Sequence, residues 1–175
     1  MNDIESIIGQ CRKGEHRAQM QLYNAFYKRV YNSCFRILRD SLEAEDAMQE
    51  SFLKALTRLH DYDETIAFGA WLVRIAINTS IDKLRKKEKN VITLNEDMGY
   101  NAIADNDSDD WEYIVGKVEQ VKMAIEKLPE ASRLVINLYL IEGYDHEEMA
   151  EILKIPTGTV RVQYMRAKQK LIELI

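Results

Sequence analysis

The side chains best suited to catalysis or metal binding are few in this chain and lie far apart. The cysteines are Cys11 and Cys34, which lack the CxxC spacing of a metal or redox site. The three histidines are His16, His60 and His146. His146 begins the stretch HEEMA, which starts like the HExxH zinc motif, but Ala150 stands where the second histidine is required. Since no phosphate-binding glycine loop is present either, the sequence predicts no enzyme, no metal site and no cofactor.

Recognition of nucleic acid is the chemistry that the sequence favours, and residues 155–170 carry the clearest signal for it. This segment has four basic residues and no acidic one. At helical spacing its apolar residues form an inward stripe, which consists of Val160, Tyr164, Ala167 and Leu171. Opposite this stripe lie Arg161, Met165 and Lys168, which are flanked by Val162 and Arg166. Such a helix fits the major groove, where arginine forms two hydrogen bonds with guanine. The alternative is a core helix with a solvated basic face.

A second candidate surface lies in residues 60–87, where the polar loop His60 to Thr65 precedes an amphipathic segment. Four side chains recur about one helical turn apart on one face, and they are Arg74, Asn78, Asp82 and Arg85. Basic side chains near aromatic ones suit single-stranded nucleic acid, whose flipped bases stack and are hydrogen-bonded on their edges. For Trp71, packing in the protein core is the favoured alternative.

A third candidate surface is acidic and lies within the stretch EDAMQESFL at residues 45–53. Helical spacing places four of its side chains on one face, and they are Asp46, Gln49, Glu50 and Leu53. An acidic face edged by an exposed leucine is able to dock on a basic helix of a partner protein. A solvated face without a partner is the alternative, which the residues alone favour.

Helices are expected nearly throughout, because apolar residues recur at helical spacing and strand alternation is absent. The predicted helices span residues 16–39, 40–59, 67–87, 111–127, 129–141, 146–153 and 157–175. The inward stripe of the second one is Ala44, Met48, Phe52, Ala55 and Leu59. Three side chains are predicted to cap helices, namely Asp40, Asp145 and Thr157. The tight turn before the last, basic helix predicts a helix-turn-helix.

The charges divide the chain into parts. The net charge of −5 comes from 24 basic and 29 acidic residues. Residues 1–92 hold 15 basic and 13 acidic residues, and residues 93–120 hold 1 basic and 8 acidic. Residues 121–175 hold 8 of each kind. Residues 93–112 are rich in Asn and Asp and lack helical periodicity, which predicts an acidic flexible linker. We therefore expect an all-α protein of two small helical domains, at 1–92 and 113–175.

Nothing in the composition indicates a membrane protein or a secreted one. The chain has 46% hydrophobic and 30% charged residues, which is typical of a globular protein. No run of about 18 apolar residues is present, so no membrane insertion is expected. Residues 1–10 contain two acids and no basic apolar leader, so we expect no signal peptide and a cytoplasmic location.

Three segments, in this order, resemble the extracytoplasmic-function (group IV) sigma factors of the sigma-70 family of bacterial RNA polymerase. They are EAEDAMQESFLKAL, FGAWLVRIAINTSIDKLRKK and LPEASRLVINLYLIEGYDHEEMAEILKIPTGTVRVQYMRAKQKL. The resemblance covers nearly the whole chain apart from the linker and the first dozen residues. Each motif alone is moderately specific, whereas their order and spacing together are strongly specific.

The resemblance implies a role for each candidate surface. The N-terminal domain would be sigma region 2, which binds core RNA polymerase through Asp46, Gln49, Glu50 and Leu53. Its loop and the helix that follows would recognise and open the −10 promoter element, through Asp61, Tyr62, Arg74, Asn78, Asp82 and Arg85. The C-terminal domain would be sigma region 4, whose last helix reads the −35 element through Thr157, Arg161, Val162, Gln163, Met165, Arg166 and Lys168. An anti-sigma factor would be a further partner.

The last helix departs from the family pattern directly after Gly-Thr-Val. The family usually has a base followed by Ser-Arg, whereas this chain has Arg161, Val162 and Gln163. Gln163 is able to hydrogen-bond adenine and Val162 to contact a thymine methyl group. The resemblance therefore implies −35 recognition without specifying which −35 sequence is read.

Two other functions are compatible with a helix-turn-helix. A self-sufficient repressor or activator would bind duplex DNA tightly on its own as a dimer, since paired half-sites require two copies. An adaptor that sequesters another factor would bind no promoter even with polymerase. The segment FGAWLVRIAIN is hard to explain under either alternative.

Overall fold

The structure is a computed structural model that describes residues 3–87 and 117–175. It divides into two compact units, one containing each described range. Every regular element within these ranges is helical, which confirms the predicted all-α class. None of the described helices combines the length and the apolar character that crossing a membrane requires. The predicted linker 93–112 and the start of the predicted helix 111–127 lie outside the described residues.

Four α-helices and a short 3-10 turn form the N-terminal unit. They are α1 (Ile4–Arg12), α2 (His16–Leu38), α3 (Ser41–Thr57), the 3-10 turn (Leu59–Asp61) and α4 (Phe68–Lys87). Helices α2, α3 and α4 pack against one another, and α1 packs on α2. The predicted inward stripe of the second helix is confirmed by the burial of Ala44, Met48, Phe52, Ala55 and Leu59. Removal of these apolar side chains from water stabilises the bundle.

Helix α1 was not among the predicted helices. It has only nine residues, and Gly9 stands in its middle, so its helical pattern is short and its intrinsic propensity is low. Burial of Ile7, Ile8 and Cys11 fixes it on the bundle. Local signals for this helix are nevertheless present, because Asp3 caps its first turn and Ile4 continues the apolar stripe at helical spacing, while tertiary packing stabilises so short a helix.

Helices α2 and α4 approach each other closely at Gly69. A Cβ atom at this position would lie 2.8 Å from Cε1 of Phe26 and 2.9 Å from Nη1 of Arg29. The Phe26 ring also meets the ring of Phe68 edge-on, with the centroids 5.5 Å apart. The absence of a side chain at Gly69 therefore sets the position of the first turn of α4 on α2.

Four α-helices are found in residues 117–175, the described part of the C-terminal unit. They are α5 (Val118–Lys127), α6 (Glu130–Ile136), α7 (His146–Leu153) and α8 (Thr157–Glu173), and a π-helical turn, Asn137–Ile141, extends α6. Helix α8 packs mainly on α6 and α7. Its predicted inward stripe is confirmed, because Val160, Tyr164, Ala167 and Leu171 are buried. The turn between α7 and α8 has Lys154 in the left-handed conformation at φ 57°, and the two helices form the predicted helix-turn-helix.

Two of the three predicted caps are confirmed. The carboxylate of Asp40 accepts two backbone N–H bonds in the first turn of α3, both at 2.9 Å. Asp145 caps α7 in the same way, at 2.9 and 2.8 Å, and the backbone N–H of Asp145 donates to the Glu148 carboxylate at 3.0 Å. This reciprocal arrangement is a capping box, and it fixes where the helix-turn-helix begins.

The prediction that Thr157 caps the last helix was wrong. Thr157 is the first residue inside α8, and Pro156 occupies the cap position with φ −59° and ψ 144°. Proline holds φ near the helical value, and the extended ψ supplies the change of direction that a cap residue needs. Pro129, predicted as the first helical residue, occupies the corresponding cap position before α6.

Candidate nucleic-acid interface and docking face

The predicted acidic face of α3 is present, and the structure joins it to α4. Asp46 and Gln49 are exposed, Glu50 is half-buried, and Leu53 is 67% exposed. Lys83 of α4 reaches across to this face, where its Nζ lies 3.2 Å from a carboxylate oxygen of Glu50 and also contacts the carboxylate of Asp46. The face therefore carries mixed charge, whereas the sequence pattern predicts a purely acidic one.

Glu50 lies between two lysines. Its carboxylate is 2.8 Å from Nζ of Lys54, which also donates to Oγ1 of Thr79 at 3.1 Å. Hydrogen bonds from Lys54 and then from Lys83 hold the pKa of Glu50 below its ordinary value. The hydrogen bond to Asp46 raises the pKa of Lys83. Both partners therefore stay charged over a wider pH range than isolated side chains do.

Two members of this surface were missed by the sequence reasoning. Lys83 stands 37 positions from Asp46, so no local spacing relates the two. Leu42 is 76% exposed and stands four residues before Asp46, so it extends the docking face by one helical turn. The four-residue spacing was a usable signal for Leu42, although a leucine in a first helical turn usually indicates core.

The predicted outer face of α4 is also present. Asn78 and Asp82 are exposed, and Arg74 and Arg85 are half-buried. One nitrogen of the Arg85 guanidinium lies 3.6 Å from the Asp82 carboxylate. The structure brings these four side chains together along one helix, so hydrogen-bond donors, acceptors and positive charge share one surface.

The DNA contact predicted for Tyr62 stays a prediction, and in the structure this side chain is buried. It is 6% exposed, and its hydroxyl donates to the backbone carbonyl of Ile66 at 2.7 Å. Its ring packs edge-on against Phe68 and in a tilted arrangement against Trp71, with centroids 5.4 and 5.2 Å away. Burial raises the pKa of Tyr62. An aromatic ring in a polar loop is stabilised by packing on the core, so Tyr62 supports the loop from inside.

Trp71 is partly buried and packs against the core of the N-terminal unit. Its ring lies 5.6 Å from that of Phe68, as well as close to Tyr62. The core-packing alternative for Trp71 is therefore confirmed. Through these ring contacts Trp71 connects α4 to the loop that precedes it.

The exposed edge of the loop is acidic. Asp61 is exposed, pairs with Arg58 at 3.2 Å and lies 3.1 Å from a ring nitrogen of His60. The hydroxyl and backbone N–H of Thr65 donate to Asp63 at 2.7 and 3.0 Å, and they lower the pKa of that carboxyl. Carboxylates repel phosphates but accept hydrogen bonds from the amino groups of bases. The loop therefore suits exposed bases better than the nucleic-acid backbone.

Helix α8 presents most of the predicted base-reading side chains. Arg161 is exposed, and the partly exposed members of the set are Thr157, Val162, Gln163, Met165 and Arg166. Lys168 also belongs to the predicted set, but it is only 5% exposed. It stands four residues after Tyr164 and one after Ala167, both buried, and this places it at the border of the inward stripe.

A cluster of three rings holds the helix-turn-helix together. Tyr139 in the π-helical turn lies 4.3 Å from Tyr164 of α8, and His146 of α7 lies 5.2 and 5.1 Å from these two rings, measured between centroids. His146 therefore packs between aromatic rings. Within residues 3–87 and 117–175, no group of three or more side chains is arranged to hold a metal ion.

Two family models match this chain. The model for sigma-70 region 2 matches residues 22–90, which include α3 and α4. The model for sigma-70 region 4 matches residues 118–171, which include the helix-turn-helix. Together the two matches cover more than half of the chain.

Two sigma factors are similar to this chain over nearly its whole length. The extracytoplasmic-function RNA polymerase sigma factor SigW of Bacillus subtilis is 32% identical over 96% of this chain and 94% of its own length. The RNA polymerase sigma-H factor of Pseudomonas aeruginosa is 30% identical over 94% of this chain and 90% of its own length.

Two solved structures share the fold. The sigma factor RpoE of Bartonella quintana, in complex with the anti-sigma factor NepR, matches with a TM-score of 0.57 and 23% identity over 89% of this chain and 94% of its own. CnrH, in complex with the cytosolic domain of CnrY, matches with a TM-score of 0.55 and 24% identity over 96% of this chain and 94% of its own.

Proposed function

Since the chain belongs to the sigma-70 family, as an extracytoplasmic-function sigma factor, we propose that it binds core RNA polymerase, directs it to −10 and −35 promoter elements and promotes opening of the DNA. The observation that carries this proposal is where the two matched regions fall. Region 2 coincides with the unit that has the α3 docking face and the polar face of α4, and region 4 coincides with the helix-turn-helix.

The α3 face is the proposed site for polymerase. Leu53 offers an exposed apolar contact, and Asp46 and Glu50 flank it with carboxylates, while Gln49 adds a neutral hydrogen-bonding group. A partner helix with apolar and basic side chains complements this surface, because an apolar centre with charged surroundings combines affinity with steering.

The loop after α3 and the outer face of α4 form the proposed −10 surface. Arg74 and Arg85 attract the DNA backbone, and Asn78 and Asp82 provide base-directed donors and acceptors. Asp61 belongs to the acidic loop edge, which favours exposed bases over phosphates. Separation of the strands would therefore increase the contact that this surface makes.

Helix α8 is the proposed −35 reader. Arg161 and Arg166 carry the positive charge, while Val162, Gln163 and Met165 supply contacts to base edges. Thr157 stands in the first turn, where free backbone N–H groups face a phosphate. Lys168 is also in this set but is 5% exposed, so Arg161 and Arg166 are its more accessible basic members.

The same family membership supports the remaining parts of the proposal. The protein acts by binding and not by catalysis, works in the cytoplasm and is held inactive by an anti-sigma factor, as the complex of the Bartonella quintana sigma factor with an anti-sigma factor supports. The proposed domains are region 2 at 1–92 and region 4 at 113–175, connected by an acidic linker at 93–112.

Run-off transcription from a promoter library tests the proposal. Purified bacterial core polymerase is assayed with and without the protein, and the start sites are sequenced. Start sites that require the protein and share two upstream elements are expected. Absence of new start sites, together with tight dimeric binding to duplex DNA, would instead support the repressor alternative.

A further inference from the structure

We propose that Arg12, at the end of α1, is a positioning residue that holds the loop at residues 59–66 in the shape needed for promoter opening. This inference rests on the proposed function, in which the loop forms part of the −10 surface. It assigns a role in promoter opening to a helix that lies outside the residues matched by the region 2 model.

The Arg12 guanidinium makes three contacts along the loop. Nη2 donates to the backbone carbonyl of Tyr62 at 2.7 Å, Nη1 donates to the Glu64 carboxylate at 3.1 Å, and Nε donates to the carbonyl of Leu59 at 3.4 Å. These acceptors are 47 to 52 positions away in sequence. One side chain thus connects three positions between the start of the loop and Glu64 to α1.

The loop has few other anchors to the bundle. Leu59 and Tyr62 are buried, whereas residues 63–67 are exposed. Glu64 has φ +65°, a left-handed conformation that a residue with a side chain adopts only at a cost in conformational energy. The ion pair with Arg12 offsets this cost, and the bond from Arg12 to the Tyr62 carbonyl fixes the backbone directly before it.

Helix α1 is a suitable base for this contact because the core holds it. Ile7, Ile8 and Cys11 are buried on the same helix, so the Cα atom of Arg12 is fixed relative to α2. A planar guanidinium with several N–H groups is able to bridge three acceptors at once, whereas an ammonium group is a point donor. The contact therefore requires arginine.

Loss of the Arg12 contact is expected to impair promoter opening and to leave binding of core polymerase intact. The loop lies between the α3 docking face and α4, but Arg12 contacts neither Leu53 nor the carboxylates beside it in the structure's hydrogen bonds and ion pairs. A loop released from Arg12 retains Tyr62 in the core yet samples more conformations at its exposed acidic edge. Ordering that edge on unpaired bases would then cost additional entropy.

Comparison of Arg12→Gln, Arg12→Lys and the matched control Lys13→Gln tests the inference in the full chain. Lys13 is the exposed neighbouring base, so its replacement removes the same charge without touching the loop. Affinity for core polymerase is measured by fluorescence anisotropy. Opening is measured as permanganate reactivity of thymines on a promoter selected from the library.

For Arg12→Gln we expect opening to slow by at least about fivefold, as loss of charged hydrogen bonds predicts, with polymerase affinity within about twofold of wild type. Arg12→Lys should fall between wild type and Arg12→Gln, and Lys13→Gln should match wild type. Equal opening by Arg12→Gln and Lys13→Gln would overturn the inference, as would a parallel loss of polymerase affinity. Failure of the wild-type protein to open any promoter would instead refute the proposed function.

Discussion

Nζ of Lys83 on α4 lies 3.2 Å from the carboxylate of Glu50 on α3 and also contacts Asp46. The two helices have different proposed tasks, since α3 faces polymerase and α4 faces DNA. Lys83 directly follows Asp82 in the DNA-facing helix, so one ion-pair network borders both surfaces. The relative placement of the docking face and the −10 surface is therefore fixed within a single packed unit.

Replacing Lys83 by methionine removes these ion pairs and retains most of the side-chain stem. Lys83 is 21% exposed, but its partners stay solvated, so we expect a loss of unfolding free energy within about 1 kcal/mol near neutral pH. Urea unfolding of the full chain measures this loss. Lys86→Met, at an exposed position on the same helix, is the matched control and should have little effect.

The loss caused by Lys83→Met should also depend on pH. Since the folded pKa of Glu50 is lowered, its contribution is present above the ordinary value of 4.5 and disappears as the pH falls through the folded pKa. Since the folded pKa of Lys83 is raised, its contribution is present below 10.5 and disappears as the pH rises through the folded pKa. A difference between wild type and variant that stays constant in strong acid would contradict the ion-pair explanation.

Leu53→Ala should weaken polymerase binding with little effect on stability. The side chain is 67% exposed, so its removal leaves no cavity, whereas an apolar contact at an interface centre is worth on the order of 1–2 kcal/mol. Titration of labelled core polymerase gives the affinity, and thermal unfolding gives the stability. Met20→Ala on α2, at a side chain that is 57% exposed, is the control. If both variants bind polymerase like wild type, Leu53 is not part of the docking face.

Gly69→Ala should destabilise the N-terminal unit. The added Cβ would lie 2.8 Å from the Phe26 ring and 2.9 Å from the Arg29 guanidinium, so we expect a cost of about 1–3 kcal/mol in unfolding free energy. Gly9→Ala is the opposite case, because nothing lies within 4 Å of its Cβ and alanine favours the helix by about 0.5–1 kcal/mol. Equal stability of the two variants would show that α2 and α4 do not meet closely at Gly69.

Elements with strong local signals were predicted well from the sequence. The inward stripe of α8, for example Val160 and Tyr164, follows from helical spacing, and the Asp145 capping box follows from residue types three positions apart. Helix α1 was missed because it is only nine residues long and contains Gly9, although the Asp3 cap and the spacing of its apolar residues were usable signals.

The sites were predicted less completely, because periodicity assigns a face but not its depth. Lys168 lies at the border of the buried stripe and Tyr62 turns inward from a polar loop, so spacing and polarity alone placed both on the surface. Lys83 and Arg12 bind acceptors more than 30 positions away in the sequence. Helical spacing relates only residues three or four apart, so these contacts depend on the tertiary fold.

The central claim is that one protein reads two promoter elements with two separate units, and promoter-library transcription by Asn78→Ala and Arg161→Ala tests it most directly. If each contacts a base, we expect each variant to lose about 1–3 kcal/mol in promoter recognition. Arg161→Ala should relax sequence preference only in the upstream element, and Asn78→Ala only in the element next to the start site. A result in which both variants change the same element, or neither changes any, would contradict the account.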